Sequence, residues 1–252
     1  MSVVVRVEGL GKTFHDRSRG PVDAVRDLSF EAHAGEIFGL LGPNGAGKTT
    51  TLRMLATILQ PTSGRASVAG HDLADDPPGV RASIGYLSGD TGLYGRLTPR
   101  EVLRYFARLN HYPAERLTAR IESLVARFGM AEFADVRCDR LSTGMRQKVS
   151  IARAVIHDPP VLILDEPTAG LDIIVAESLL RFIEEIRGLG KCVLFSTHVM
   201  REAERLCDRI GIIHEGKLLA AGSFEELQAR SGKRYLEEIF VQLVEGGGGA
   251  SL

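Results

Sequence analysis

The sequence predicts an α/β fold with a parallel sheet, interrupted by an inserted helical segment. Strand-like apolar runs alternate with helical stretches at both ends of the chain. Between them, from about residue 99 to 130, the pattern changes to consecutive helices, marked by Val102, Leu103, Phe106 and Leu109 at helical spacing. A glycine-rich turn, Gly42 to Gly47, lies between a strand and a helix.

The elements follow in order. Val3, Val4 and Val5 open a strand, and residues 28–31 make another with mixed alternation. Residues 36–41 form a strand that runs into the glycine turn, and residues 48–59 form a helix stopped by Pro61. Short strands are expected over 64–70 and 82–87. After the helical segment, a helix over 146–157 carries apolar Val149, Ile151, Ala152 and Val155. Strands return at 161–164, 192–196 and 210–214, separated by helical stretches such as 176–187. His214-Glu215-Gly216-Lys217 reads as a hairpin turn, and the glycines from Gly246 to Gly249 as a flexible end.

Composition narrows the function classes. The 252 residues carry 31 Lys+Arg against 32 Asp+Glu, a formal net charge of −1, which gives no general electrostatic reason to bind nucleic acid. Hydrophobic residues at 44% and charged residues at 25% argue against a largely disordered chain. Cys138, Cys192 and Cys207 are odd in number and form no CxxC pair, so neither a disulfide framework nor a structural zinc site is expected. No apolar run approaches the roughly 18–20 residues of a membrane-spanning helix. Residues 1–8 do not read as a secretory signal. A membrane role has to come through a partner.

Gly42-Pro43-Asn44-Gly45-Ala46-Gly47-Lys48-Thr49 fits GxxxxGK[ST] in the strand–helix context that motif requires. The glycines let consecutive N–H groups face one anion, and the helix start at Lys48-Thr49-Thr50 adds its dipole. Lys48 is expected to reach the β- and γ-phosphates and the Thr49 hydroxyl to sit on Mg²⁺. Val161 to Leu164 ends in Asp165-Glu166, placing both acids at a strand's C-terminal edge, where open α/β sheets bind ligands. Asp165 suits the Mg²⁺ shell and Glu166 suits a general base for an attacking water.

Leu141-Ser142-Thr143-Gly144-Met145 precedes the helix at 146–157, with Ser142 a good N-cap type, so a second helix start is ready for an anion. A single nucleotide needs only one. With both motifs the chain resembles the ATP-binding subunit of an ABC transporter over essentially its whole length. That resemblance implies a P-loop NTPase (RecA-like) core with an antiparallel β part and an inserted helical subdomain. The single ATPase domain divides as core over about 1–88 and 158–230, helical insertion over about 89–157, and C-terminal helix and tail over about 231–252.

Leu141 to Met145 resembles the family signature LSGGQ, with Thr143 and Met145 replacing Gly and Gln while Ser142 and Gly144 are retained. In the family this motif serves the ATP held by the other subunit, implying a head-to-tail dimer on two ATPs. A homodimer is the expectation, a related cassette the alternative. Gly170-Leu171-Asp172 resembles the D-loop and His198 the switch histidine at the γ-phosphate. Phe14 stands where the family stacks an aromatic ring on adenine. The usual Q-loop glutamine is replaced at Gly89, leaving Ser88 or Asp90 to substitute, or a loop that only couples to the partner.

The stretch Gly89 to Tyr94, with Arg96-Leu97-Thr98, is similar to the sodium-efflux branch of two-component exporters, relatives of which export drugs. The resemblance implies a separate integral-membrane permease docking near Leu93, Tyr94 and Leu97, with this chain peripheral on the cytoplasmic face of the membrane. A soluble cassette outside transport, such as an iron–sulfur assembly factor, is the alternative.

Overall fold

The computed structural model of the chain describes residues 2–16, 20–88 and 92–246. It begins with β1 (Val3–Asp16), β2 (Gly20–His33), β3 (Ile37–Leu41), α1 (Lys48–Leu55), β4 (Ser63–Val68), β5 (His71–Asp72), α2 (Pro77–Ser83) and β6 (Ile84–Ser88). The helical run is α3 (Pro99–Leu109), α4 (Ala114–Arg127) and α5 (Thr143–Val155). There follow β7 (Val161–Asp165), α6 (Ile173–Gly188), β8 (Cys192–Thr197), α7 (Met200–Leu206), β9 (Arg209–His214), β10 (Lys217–Gly222), α8 (Phe224–Ser231) and α9 (Leu236–Gly246).

Two sheets organise these elements, which is the expected α/β architecture. One is antiparallel, ordered β2-β1-β4-β5; the other is six-stranded, ordered β10-β9-β3-β8-β7-β6. In the second, β6, β7, β8, β3 and β9 run parallel and β10 closes the edge antiparallel to β9. Every residue of β3, β7 and β8 is buried. That is how a parallel strand covered on both faces reads. Alternation sorts their side chains. Val161 and Ile163 join the core under the antiparallel sheet and α1, whereas Leu162 and Leu164 join the core shared with α3, α4, α5 and α6. The rings of Phe30 on β2 and Phe38 on β3 stack at 4.8 Å, joining the two sheets.

Several boundaries differ from expectation for identifiable reasons. The opening strands extend into a long hairpin: the alternation of buried Val5 and Val7 with exposed Arg6 and Glu8 is broken by register shifts between Val7 and Lys12, around Gly9 and Gly11, so the pattern does not show the strand's full length. The first helix ends at Leu55 and not at 59: Thr57 takes φ +57°, and Ile58 N–H and Thr57 N–H donate to the Arg53 and Met54 carbonyls. Those are the two bonds of a Schellman stop, here built without glycine. Ala82 belongs to α2, so the strand there starts at Ile84. α5 begins three residues earlier than the pattern suggests because Ser142 caps it, and α6 starts at Ile173 because the Asp172 carboxylate accepts from Ile174 N and Val175 N. The hairpin turn at Glu215-Gly216 stands as expected, both residues at positive φ. The glycines after Gly246 lie outside the described residues.

His157, just past α5, locks that helix to β6. Its Nε2 lies 3.0 Å from the Ile84 carbonyl, which can only accept, so Nε2 carries the proton. Nδ1 is buried without a partner. Burial holds this imidazole below its ordinary range, against the opposing pull of the Ile84 carbonyl. The folded protein therefore keeps His157 neutral, while the unfolded chain takes up a proton below about pH 6.5. Stability should fall as pH drops through that range. His157→Gln, which keeps a donor and cannot titrate, should show a shallower fall in urea-melt stability between about pH 7.5 and 5. Equal slopes for the two proteins would remove His157 as the cause.

Candidate active site

The parallel register brings the functional loops to one edge. Leu41 pairs with Thr197 and Asp165 with Ser196, so β3, β7 and β8 end side by side. The loops leaving those ends carry Gly42 to Gly47, Glu166 and His198. The first loop must turn inside a confined space. A Cβ on Gly42 would lie 2.2 Å from the Ile213 carbonyl, and Gly47 has φ +106° with the Ala24 carbonyl 2.6 Å from where its Cβ would be. Gly47 is also the N-cap of α1, which has no side-chain cap and no acidic residue in its first turn. Its free N–H groups therefore face a cleft suited to an anion.

That cleft, about 130 Å³, is lined by Asn44, Gly45, Ala46, Gly47, Lys48, Thr49 and Thr50, with Ala24 and Glu166 opposite. Lys48 is only 4% exposed. Its ammonium donates to the Gly42 and Pro43 carbonyls at 2.7 and 3.1 Å and meets Glu166 Oε1 at 3.2 Å. The Thr49 hydroxyl donates to Asp165 Oδ1 at 3.0 Å, and the buried Ser196 hydroxyl donates to the same oxygen at 2.7 Å. Ser196 Oγ also accepts from Glu166 N–H at 3.0 Å. Glu166 itself sits at φ +46°, a left-handed backbone uncommon for a non-glycine residue. His198, 48% exposed on its side chain, places Nδ1 3.2 Å from Glu166 Oε2. A carboxylate only accepts, so Nδ1 is the protonated nitrogen in this contact.

The structure thus gathers Gly42, Pro43, Asn44, Gly45, Ala46, Gly47, Lys48, Thr49, Thr50, Asp165, Glu166 and His198. Phe14 lies along the same hairpin, paired with Val22 two positions from Ala24, and is 41% exposed with Lys12 Nζ 5.3 Å from its ring centre. Ser142 and Gly144 do not line the cleft. Ser142 is exposed at the start of α5, where its hydroxyl accepts from Met145 N–H at 3.3 Å. Gly89 and Asp90 lie outside the described residues; Ser88 is in register with Asp165 at the end of β6. Of the residues expected to meet a permease, Leu93 and Leu97 pack inward on the helical core, whereas Tyr94 is exposed beside Tyr105.

Residue patterns alone did not single out Ser196, Ala24, Glu202 or Gln147. Glu202 accepts from the Thr168 and Thr197 hydroxyls, and Gln147 donates to the Pro167 carbonyl. A buried hydroxyl closing an otherwise apolar strand was the available signal for Ser196. The others depend on tertiary proximity.

A glycine loop closing on a buried lysine, with a strand-end aspartate hydrogen-bonded to the loop's threonine, is the architecture of a phosphate-binding-loop nucleotide protein. Comparison with known proteins narrows this. The family profile for ABC transporters matches residues 25–169. The chain is 43% identical over 245 residues to the ABC transporter ATP-binding protein NatA of Bacillus subtilis, spanning 96% of this chain and 99% of that one. It is 40% identical over 199 residues to a Nod factor export ATP-binding protein I of Burkholderia lata, spanning 79% and 66% of the two chains. A solved dimeric cassette of a bacterial ABC transporter superposes with TM-score 0.78 at 25% identity, covering 87% of this chain and 98% of its own. The chain belongs to the ABC transporter family, as an ATP-binding subunit with ATPase activity. No helix among the described residues is long and apolar enough to cross a membrane.

Two substitutions probe the cleft. Lys48→Ala should lower ATP turnover by about a hundredfold or more, because it removes the one buried cation in the loop; undiminished hydrolysis would contradict the assignment. Ser196→Ala should cut kcat roughly tenfold, since Asp165 and Glu166 N–H each lose a hydrogen-bond partner. An unchanged kcat would show that Ser196 is only packing.

Proposed function

We propose that this chain is the motor subunit of an exporter, working as a pair of copies that close on two ATP molecules. The observation that carries this reading is the split of the machinery. One cleft holds Lys48, Thr49, Asp165, Glu166 and His198, while Ser142 is exposed on a different helix start. The second copy supplies Ser142 and Gly144 to the terminal phosphate, and the dimeric solved cassette supports that arrangement. Ile173 and Ile174, 88% and 82% exposed just after Asp172, give a facing copy an apolar surface to cover.

Within one site, the loop N–H groups, Lys48, Thr49 and Thr50 hold the phosphates, and Phe14 stacks on the adenine. Thr49 and Asp165 offer hard oxygen donors 3.0 Å apart, a fit for Mg²⁺, which takes one or two protein oxygens beside substrate phosphates. When bound, Mg²⁺ neutralises phosphate charge. A phosphate in the loop competes with Glu166 for the Lys48 ammonium and so frees the carboxylate. Glu166 then accepts a proton as the water oxygen bonds to the γ-phosphorus and the bond to the β–γ bridging oxygen breaks, leaving ADP and phosphate. His198 holds the Glu166 carboxylate in place.

ATP-binding subunits of this family usually pair with a membrane permease. Here the chain sits on the cytoplasmic face of the membrane beneath a permease that spans it, with Tyr94 and Tyr105 on the helical segment as the exposed surface for that partner. The Nod factor export relative supports export as the direction. Resemblance to the sodium-efflux branch makes sodium ions or drugs the cargoes to test.

Glu166→Gln should keep ATP binding yet trap the closed pair, giving a doubled mass by light scattering with ATP and Mg²⁺. A variant that stays monomeric under every nucleotide condition would sink the two-copy reading.

A further inference from the structure

The exposed Ser142 helix start and the Glu166 loop are not independent within one chain. Gln147, one turn into α5, donates its side-chain N–H to the Pro167 carbonyl at 2.9 Å, and Pro167 directly follows Glu166. The contact is half-buried and spans 20 residues of sequence. Beside it the first turns of α5 and α6 abut: a Cβ on Gly144 would lie 3.2 Å from Val175 Cγ2. Met145 of α5 and Leu171 before α6 pack on the same core. The segment between is a closed unit, with Ala169 N–H donating to the Glu166 carbonyl and Leu171 N–H to the Thr168 carbonyl. Its far side is pinned by the Thr168 hydroxyl donating to Glu202 on α7. A displacement of the α5 start is therefore passed to the backbone that sets Glu166.

We propose that Gln147 is a positioning residue that couples the two ATP sites of the dimer. The inference rests on the two-copy reading. In that arrangement Ser142 of one copy meets the ATP of the other, while the same copy's Glu166 serves its own ATP. The Gln147–Pro167 hydrogen bond is the strut between those two places, so the occupancy of one site sets the carboxylate of the other. The physical requirement is a group that both sites bias, and this loop is touched by both.

The test is steady-state ATPase of the purified chain against ATP concentration, with Gln147→Leu, Gln147→Glu and Gln147→Lys. Leu and Glu remove the donor, Glu at nearly unchanged volume, so one reports if the other fails to fold; Lys keeps a donor. The wild type should give a Hill coefficient approaching about 2, falling to about 1 in the Leu and Glu variants. Their kcat should drop roughly three- to tenfold. Binding of a fluorescent ATP analogue to the monomer should stay at the wild-type value, and the melting temperature should fall by no more than the few degrees one lost hydrogen bond accounts for. Lys should retain the wild-type coefficient. The inference is overturned if the wild type is non-cooperative, if Leu and Glu keep its coefficient, or if Lys behaves as Leu does. If instead Glu166→Gln never dimerises, it is the two-copy reading that has failed.

Discussion

Everything at the site depends on three parallel strands ending in register. Because Asp165 lies beside Ser196 and Leu41 beside Thr197, the glycine loop, the Glu166 loop and His198 emerge within reach of one another. The hydrogen bonds Thr49–Asp165–Ser196 tie the three ends together through one carboxylate oxygen. A slip of one residue in any pairing would exchange the buried faces of β3, β7 or β8 and carry Asp165 away from Thr49. The apolar cores on both sides of the sheet are what forbid that slip. Packing thus sets the chemistry.

The site was largely legible in the sequence because its parts are local. A strand, a glycine turn and a helix start are contiguous from Ile37 to Thr50, and their geometry follows from residue type alone. Asp165 was legible for the same reason, as the polar end of an apolar strand. What escaped was what crosses the fold. Ser196 looks like any strand-end hydroxyl until the register sets it against Asp165, and Gln147 looks like an ordinary helix glutamine until Pro167 arrives from 20 residues away. Element ends went astray where a single residue decides them. Thr57 at positive φ stops α1, and Asp172 starts α6 earlier than the apolar pattern shows.

The helical run is anchored on the sheet through α5. Val149, Ile151, Ala152 and Val155 of α5 share one core with Leu162, Leu164 and Phe195 of the sheet and with α6. A close-packed core of this kind moves its elements together or in discrete steps, not by continuous bending.

The central claim is that each copy completes the other's phosphate site, and proximity between chains tests it most directly. Cysteines at Asn44 and Thr143 would mark the loop and the α5 start, both positions exposed. The native thiols interfere little: Cys138 and Cys192 are buried, burial pushes the Cys192 thiol up to about 12, and Cys207 is pushed well up likewise. With ATP and Mg²⁺, Asn44→Cys/Thr143→Cys should cross-link between chains into a covalent dimer, and without nucleotide it should not. A link closing within a single chain, or none between chains under any nucleotide condition, would contradict the account.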